Sequence, residues 1–342
     1  MRAAPQDVTG PRPALPVTIG DVVAARDRIT GHVVRTPLLP APWAPGELWL
    51  KAESLQPIGA FKLRGAVNAI ARLRPETRAH GVVTHSSGNH GQAVAWAARA
   101  AGIPAVVVMP DSATAVKVAA TRALGAEVVL VPSDRRELVA DAVRAERGMT
   151  TIPPFDHADV IAGQGTLALE VLEDLDDIDT VLVPVGGGGL ISGVGVAIAA
   201  SSPRTRVVGV EPELAADARD SLASGRRVAW DARATHRTIA DGTRTPLVGE
   251  LTFPIIQATV EEIVTVSEDE ILAAVASLAR HARLVAEPSG ALGVAAQLAD
   301  PRRYGRAVAV LSGGNIDPAV LARALTSSPG GTASTTPEEA HP

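Results

Sequence analysis

Four consecutive glycines follow a short apolar segment in the middle of the chain. Residues 181–185 are typical of a buried strand, and an apolar run at helical spacing begins at Leu190. Glycine has no Cβ atom, so successive backbone N–H groups can turn toward one point, and at a helix start they favour an anion by roughly 0.3–2 kcal/mol. The pattern predicts a phosphate cradle, with a close strand-to-helix packing turn as the alternative. The glycines are Gly186, Gly187, Gly188 and Gly189.

An amine nucleophile could come from only three side chains, Lys51, Lys62 and Lys117, because the chain has no other lysine. A lysine amine at its ordinary pKa of about 10.4 is mostly protonated, and a partly apolar site lowers that pKa. Lys62 follows Phe61 in a Gly-x-Phe-Lys turn before a predicted helix, which is such a site. We predict that Lys62 is the reactive amine and that Lys51 and Lys117 are surface residues.

Two further loops rich in Gly, Ser and Asn follow predicted strands. One spans residues 85–91 (HSSGNHG) and the other spans residues 312–315 (SGGN). In α/β proteins, ligands sit at the carboxyl ends of parallel strands, where connections diverge. We expect both loops to meet the glycine loop at one binding site, although either alone could be a plain turn.

The order of predicted elements favours an α/β fold with two mostly parallel sheets, each wrapped by helices. Residues 150–162, which contain two adjacent prolines, are predicted to be irregular. In the compact block before them, strands alternate with helices. The predicted strands are 82–84, 106–109 and 128–131, and the predicted helices are about 91–101, 115–124 and 135–147.

The composition restricts the class of function. The chain has 342 residues, a net charge of −5 and no basic stripe, so nucleic acid is not an expected partner. The absence of cysteine excludes thiolate nucleophiles, and the scattered histidines do not favour a zinc site. No apolar run approaches the roughly 20 residues of a membrane span, and the first residues lack a signal-peptide core. We expect a cytoplasmic protein without membrane contact.

These motifs resemble the fold type II pyridoxal-phosphate enzymes, and most of all the serine/threonine dehydratases and serine racemases. The resemblance implies a large domain of residues 18–80 plus 159–326 and an inserted small domain of residues 81–158. Residues 1–17 are then a flexible arm and residues 327–342 a disordered tail. The matching segments follow the family order and are residues 59–66 (GAFKLRGA), 86–92, 163–166 (GQGT), 186–189, 287–290 (EPSG) and 312–315.

The resemblance implies that pyridoxal 5′-phosphate lies between the two domains. The four glycines would hold its phosphate, which agrees with the interpretation of the glycines alone. Lys62, beside Phe61, would form the Schiff base. Asn89 would bond the ring 3′-oxygen, and Ser312 would bond the pyridine nitrogen. A hydroxyl cannot protonate that nitrogen as a carboxylate would, which favours β-elimination over transamination.

The same resemblance implies a substrate site at the start of the helix after residue 88. Ser87 has two interpretations, since many threonine dehydratases resemble this loop but carry Ala there, whereas serine racemases carry Ser. Ser87 is either a second acid/base on the ring face opposite the lysine or a donor to the substrate carboxylate. Thr245 is a candidate contact to the substrate hydroxyl. The predicted carboxylate-binding residues are Ser86, Ser87, Asn89 and His90.

Glu211 and Asp217 resemble the family's divalent-metal loop, in which a main-chain carbonyl, here that of Ala215, is a third ligand. Two carboxylates, a carbonyl and waters suit Mg²⁺ or Ca²⁺. The alternative is a solvated acidic helix start.

The expected activity is that of a pyridoxal-phosphate-dependent ammonia-lyase, which converts L-threonine or L-serine to a 2-oxo acid and ammonia. Amino-acid racemisation and 3-hydroxyaspartate dehydration are alternatives, and a cofactor-free binding protein on this scaffold is the rival from another class. Ala60, where the family often has Ser, and Pro153 are departures that concern the substrate rather than the cofactor. The resemblance also suggests a homodimer.

Overall fold

The computed structural model describes residues 15–86 and 88–326, which form two β-sheets surrounded by helices. The strands are β1 (Leu38–Pro40), β2 (Glu47–Lys51), β3 (Val82–His85), β4 (Ala105–Pro110), β5 (Glu127–Val131), β6 (Thr150–Thr151), β7 (Thr180–Pro184), β8 (Arg206–Pro212), β9 (Glu262–Val266) and β10 (Arg306–Val310). The α-helices are α1 (Ile19–Ile29), α2 (Lys62–Ala71), α3 (Pro75–Arg78), α4 (Asn89–Ala100), α5 (Ala115–Ala123), α6 (Arg136–Arg147), α7 (Ala158–Asp174), α8 (Gly189–Ser201), α9 (Asp217–Ser224), α10 (Ala232–Thr235), α11 (Thr252–Thr259), α12 (Glu268–Ser277), α13 (Pro288–Ala299) and α14 (Pro318–Thr326).

The larger sheet has six strands in the order β1-β2-β10-β7-β8-β9, and only β1 runs antiparallel to its neighbour. The smaller sheet has four parallel strands in the order β5-β4-β3-β6. The predicted fold class is confirmed. The strands of the smaller sheet all lie between residues 82 and 151, which is compatible with the predicted inserted domain, and its exact boundaries stay a prediction. Residues 1–14 and the whole predicted tail lie outside the described residues.

Strand β7 explains why the larger sheet is covered on both faces. All five of its residues are buried, as expected for a central strand of a parallel sheet. Because side chains alternate along a strand, Val181 and Val183 pack in one apolar cluster and Leu182 packs in another. Helices α1, α7, α8 and α11 contribute to the first cluster, and α12, α13 and α14 contribute to the second.

The expectation that residues 150–162 are irregular holds for residues 152–157 and is wrong at both ends of the segment. Residues 150–162 are not irregular throughout, because β6 pairs with β3 and α7 begins at Ala158. Gly163 and Gly165 lie within α7 and allow close packing. A Cβ atom on Gly163 would lie 2.7 Å from the carbonyl oxygen of Arg64, and one on Gly165 would lie 2.6 Å from that of Gly193. These glycines serve helix packing rather than helix termination.

Lys51 was expected at the surface and is instead fully buried. Its Nζ atom donates to Glu170 Oε2 at 2.5 Å and to the carbonyl oxygen of Thr36 at 2.7 Å. Arg64 lies in the same cluster and contacts Glu170 and Glu53. The charges of these two basic and two acidic side chains compensate each other, which is what allows Lys51 to lie inside.

None of the helices within residues 15–86 and 88–326 is long and apolar enough to cross a membrane.

Candidate active site

The turn before Lys62 is attached to the loop that follows β10. The backbone N–H of Phe61 donates to the carbonyl oxygen of Ser312 at 3.0 Å, and that of Gly314 donates to Gly59 at 2.9 Å. Ala60 and Gly313 form an isolated antiparallel bridge at the same place. Lys62, the first residue of α2, is therefore held at the carboxyl end of the central strands.

The amine of Lys62 lies in a partly buried site. Its Nζ atom donates to the carbonyl oxygen of Pro154 at 2.6 Å and lies 5.0 Å from the centroid of the Phe61 ring. Burial lowers the pKa of Lys62 to about 8. A larger fraction of this amine is therefore neutral near physiological pH than for an exposed lysine.

The glycine loop forms the N-terminus of α8, as its sequence predicts. Gly188 is the N-cap, with φ +93°, and no side chain caps the helix within the described chain. A Cβ atom on Gly187 would lie 2.4 Å from the ring of Phe155, and one on Gly189 would lie 2.9 Å from Phe155 Cβ. Side chains larger than hydrogen cannot fit there without moving Phe155. The uncapped helix start is suited to bind an anion.

Pro154 and Phe155 bring the two features together. Pro154 accepts the hydrogen bond from Lys62, and the next residue, Phe155, packs on the glycine loop. Asp156 then caps α11, because its carboxylate accepts from the backbone N–H groups of Glu250, Leu251 and Thr252. The structure thus places the Lys62 amine and the predicted phosphate cradle on either side of one short segment.

Asn89 is the first residue of α4 and connects the smaller sheet to the larger one. Its Nδ2 atom donates to Glu287 Oε1 at 2.6 Å, and its Oδ1 atom accepts from Asn315 Nδ2 at 2.7 Å. Ser312 lies in the same loop as Asn315, and its Oγ atom is 3.5 Å from the carbonyl oxygen of Ser289. Asn89 and Ser312 therefore both lie in the region between the sheets that Lys62 also borders.

His90 is buried with its ring in one tautomer. Its Nε2 atom is 2.9 Å from the carbonyl oxygen of Ile152, which can only accept, so Nε2 carries the proton. Burial, the nearby Lys62 amine and other charges lower the pKa of His90 to about 3, so the ring is neutral. The Nε2–H group is taken up by Ile152 and Nδ1 carries no hydrogen, so the neutral ring has no free donor for a carboxylate and only the backbone N–H of His90 could bind one.

The remaining predicted substrate residues lie around the same region where the structure describes them. Ser86 Oγ accepts from the backbone N–H of Gly88 at 3.2 Å. Thr245 Oγ1 lies 3.4 Å from the position that a Cβ atom on Gly186 would take, so it borders the glycine loop. Ser87 lies outside the described residues.

Glu211 and Asp217 lie at the end of β8 and the start of α9, and both are fully buried. The alternative of a solvated acidic helix start is therefore wrong. Glu211 accepts from the backbone N–H groups of Ala218 and Arg219, at 3.1 and 2.8 Å. Both carboxylate oxygens of Asp217 are buried, and no side chain in the described part of the chain donates a hydrogen bond to them.

Burial raises the pKa of both carboxyls: that of Asp217 to about 7, and that of Glu211 well above its ordinary value, with the nearby Asp217 adding to the effect. Buried carboxylates without a compensating cation fit a hard divalent ion. Across the described residues, no group of three or more His, Asp or Glu side chains could hold a metal, so main-chain oxygens and water would have to complete such a site.

Sequence reasoning gave no role to Glu287 and Asn315, although both lie in motifs that carry the family resemblance. Glu287 is buried beside Asn89, and burial together with the charge of Asp241 raises the pKa of Glu287 to about 7. Asn315 also donates to the carbonyl oxygen of Ile58 at 2.8 Å. The EPSG and SGGN motifs were the available signal, but neither motif indicates that Glu287 and Asn315 both contact Asn89.

Comparison with known proteins agrees with this geometry. Residues 29–313 match the family described as pyridoxal-phosphate dependent enzyme. The chain is 43% identical over 308 residues to L-threo-3-hydroxyaspartate ammonia-lyase of Saccharomyces cerevisiae, covering 88% of this chain and 94% of that one. It is 41% identical over 308 residues to serine racemase of Schizosaccharomyces pombe, with the same coverages.

A solved structure, that of a T.th. threonine deaminase, superposes with a TM-score of 0.84 at 45% identity, covering 88% of this chain and 99% of that one. The match to the family covers well over half of the chain and contains Lys62, the glycine loop and Ser312. The uncapped start of α8 and the amine with a lowered pKa beside it suit a phosphorylated aldehyde. The chain belongs to the family of pyridoxal-phosphate dependent enzymes.

Proposed function

We propose that the protein is an ammonia-lyase that converts L-threonine or L-serine to the corresponding 2-oxo acid and ammonia. The observation that carries the proposal is the neighbourhood of Lys62. Its partly buried amine donates to Pro154, and the next residue in the chain, Phe155, packs on the glycine loop. Relatives at 43–45% identity are named as ammonia-lyase and threonine deaminase, which supports this reaction class.

The chain's own residues suggest how the cofactor would be held. Gly186, Gly187, Gly188 and Gly189 would bind the phosphate through backbone N–H groups, with Phe61 packing near the site. Asn89 would donate to the ring 3′-oxygen, and Ser312 would donate to the pyridine nitrogen. When bound, pyridoxal 5′-phosphate withdraws electrons from the α-carbon of an amino acid attached to it.

Lys62 would act as the base for the α-proton. An amine with a pKa of about 8 is poised to accept a proton near neutral pH, and the carbonyl oxygen of Pro154 fixes its position. Ser312 offers a hydroxyl and no carboxylate, so the pyridine nitrogen would stay unprotonated. Weaker electron withdrawal then favours loss of a β-hydroxyl over transamination.

The substrate carboxylate would bind at the start of α4, where the helix begins after Gly88 with no side-chain cap in the described residues. The hydroxyls of Ser86 and Ser87 and the backbone N–H groups of Asn89 and His90 are the proposed donors. Thr245 would contact the substrate hydroxyl. With these assignments the substrate would lie between the two sheets, next to the start of α4.

The reaction is tested by incubating the holoenzyme with L-threonine, L-serine and L-threo-3-hydroxyaspartate and measuring 2-oxo acid and ammonia. We expect one of the first two to give stoichiometric amounts of both products. Lys62→Ala should reduce the rate by a factor of roughly a thousand or more, because the base and the covalent attachment are both lost. Formation of D-serine without pyruvate would reject an ammonia-lyase.

Racemisation is the second candidate, and the identity of residue 87 favours it, because a hydroxyl there suits a second acid/base. The similarity to a serine racemase supports the same reaction. If Ser87 acts in this way, Ser87→Ala should abolish D-serine formation from L-serine and leave 2-oxo acid formation within a few fold. Equal loss of both products would instead indicate a role in carboxylate binding.

We also propose a Mg²⁺ or Ca²⁺ site made by Glu211, the carbonyl oxygen of Ala215 and Asp217. The two buried, mutually repelling carboxylates support it. We expect either ion to raise the melting temperature relative to EDTA, and Asp217→Asn to remove that shift. A melting temperature that is insensitive to both ions contradicts the site.

We also propose that the protein is a homodimer and that it works in the cytoplasm. The first proposal rests on the family resemblance and the second on the composition. Light scattering of the purified holoenzyme and fractionation of cells test these two statements separately.

A further inference from the structure

A continuous chain of hydrogen bonds passes through Asn89. Asn315 Nδ2 donates both to the carbonyl oxygen of Ile58, at 2.8 Å, and to Asn89 Oδ1, at 2.7 Å. Asn89 Nδ2 donates in turn to Glu287 Oε1 at 2.6 Å. The chain therefore runs from a main-chain carbonyl beside the Lys62 turn to a buried carboxyl at the start of α13.

The two ends of this chain determine which way the Asn89 amide faces. A main-chain carbonyl can only accept, so Asn315 must turn its Nδ2 atom toward Ile58 and toward Asn89. Above the Glu287 pKa of about 7 the ionised carboxylate can also only accept, so both ends require Asn89 to turn its Nδ2 atom toward Glu287. Below that pH the Ile58 end sets the same orientation, because a flipped Asn89 amide would oppose its nitrogen to Asn315 Nδ2.

The fit around Glu287 is close. Glu287 is 5% exposed, and a Cβ atom on Gly313 would lie 2.1 Å from Glu287 Oε1 and 3.0 Å from Asn89 Nδ2. The backbone N–H of Glu287 donates to the carbonyl oxygen of Gly313 at 3.0 Å. The pair of Glu287 and Asn89 is thus confined by the loop that follows β10 and fits only because residue 313 is glycine.

We propose that Glu287 is a positioning residue, which accepts one N–H of Asn89 and thereby directs the second N–H of the same amide to the 3′-oxygen of the cofactor. An amide nitrogen carries two hydrogens, so a bond to Glu287 leaves one free. This inference rests on the cofactor placement in the proposed function and does not depend on which reaction follows.

The test compares the equilibrium affinity of the apoprotein for pyridoxal 5′-phosphate and for the analogue that has hydrogen in place of the 3-hydroxyl. The ratio of the two dissociation constants reports what the 3′-oxygen contributes to binding, and the change of this ratio between variants reports the contact that Asn89 makes to it. In the wild-type protein we expect a preference of about tenfold or more for the natural cofactor. Glu287→Gln, whose amide can present either atom, should reduce this preference by about threefold or more.

Asn315→Ala breaks the other end of the chain and should reduce the preference in the same direction, so the proposal can be tested even if Glu287→Gln folds poorly. In an Asn89→Ala background, Glu287→Gln should cause no further change, because the residue through which it acts is absent. Glu268→Gln is the matched control, since Glu268 accepts hydrogen bonds from Thr238 and Ile239 and takes no part in the hydrogen-bond chain through Asn89.

An unchanged preference in both Glu287→Gln and Asn315→Ala overturns the proposal. A wild-type protein without any preference also overturns it, because Asn89 then does not contact the 3′-oxygen. Neither result bears on whether the holoenzyme forms 2-oxo acid, so failure of this inference and failure of the proposed reaction are distinguishable.

Discussion

The chemistry at Lys62 depends on what surrounds a single amine. No carboxylate pairs with its Nζ atom in the described residues, and its hydrogen-bond partner is the neutral carbonyl of Pro154. Burial without a counter-charge destabilises the ammonium form, which is why the pKa of Lys62 falls to about 8. Burial lowers the pKa of Lys51 too, but there the charge and hydrogen bond of Glu170 oppose the effect, whereas Lys62 has no such partner in the described residues.

This difference predicts how the apoprotein takes up its cofactor. Only the neutral amine adds to an aldehyde, so the rate of attachment of pyridoxal 5′-phosphate should rise about tenfold per pH unit below pH 8 and level off above it. Stopped-flow absorbance from pH 6 to pH 10 measures it, with Lys117→Met as a control that should keep the same profile. A rate that still climbs steeply at pH 9–10 would indicate an ordinary exposed lysine.

The raised pKa of Glu287 predicts that the free energy of unfolding changes with pH in the opposite direction from that expected for a salt-bridged carboxylate. Its pKa is raised to about 7 by burial and by Asp241, against the lowering effects of Asn89 and Lys117. The folded protein therefore binds a proton that the unfolded chain has released, and this stabilisation is lost as pH rises through about 7. The free energy of unfolding of the apoprotein should fall between about pH 5 and pH 8.

Asp217 titrates in the same range, so the contribution of Glu287 is read from a comparison of variants. Urea unfolding at several pH values should give a shallower decline for Glu287→Gln than for the wild-type apoprotein in EDTA. Parallel curves for the two proteins would show that Glu287 is ionised in the folded state across this range.

At the scale of elements, the glycines of the loop differ in how closely the rest of the protein packs against them. Gly187 packs against the ring of Phe155, where a Cβ atom would lie at 2.4 Å, whereas the nearest atom to a Cβ on Gly186 would be Thr243 Cα at 3.2 Å. We expect Gly187→Ala to displace Phe155 and, through Pro154, the Lys62 amine. It should weaken cofactor binding by tenfold or more and destabilise the protein by about 1–3 kcal/mol.

Gly186→Ala is the matched comparison and should have the smaller effect on both quantities, because a neighbour has to move by only a few tenths of an ångström. Fluorescence titration with pyridoxal 5′-phosphate and thermal unfolding measure them. Equal losses in the two variants would mean that the loop responds to any added methyl group, and that Phe155 has no special part.

These elements show which features of the site can be predicted from the sequence alone. The glycine loop and the turn before Lys62 are local features, and adjacent residue types were enough to predict that a helix follows each of them. The buried position of Lys51 was missed because its partner Glu170 is 119 residues away in the chain. Glu287 and Asn89 are 198 residues apart, and only the packing of the two sheets brings them together.

At the scale of the whole molecule, the part of the chain that contains the smaller sheet (the smaller unit) contacts the part that contains the larger sheet (the larger unit). A few of these contacts around the site are polar. One is the ion pair of Lys117, on α5, with Asp241, in a turn next to the residues that border Gly186. Its atoms are 3.3 Å apart, and both side chains are partly exposed, 38% and 44%. Such a pair contributes at most about 1 kcal/mol, and that contribution is screened by salt.

Because this pair joins α5 to the segment that borders the glycine loop, away from Lys62 Nζ, we expect Lys117→Met to act on substrate binding rather than on the chemical step. KM should rise a few fold at low salt with kcat little changed, and the difference from wild type should vanish near 1 M salt, where the Debye length is about 3 Å. Arg147→Met is the matched control, because Arg147 pairs with Glu127 at similar exposure, 42% and 50%, but within the smaller unit. A salt-dependent KM effect of equal size in both variants would show that general charge, and not a contact between the two units, is responsible.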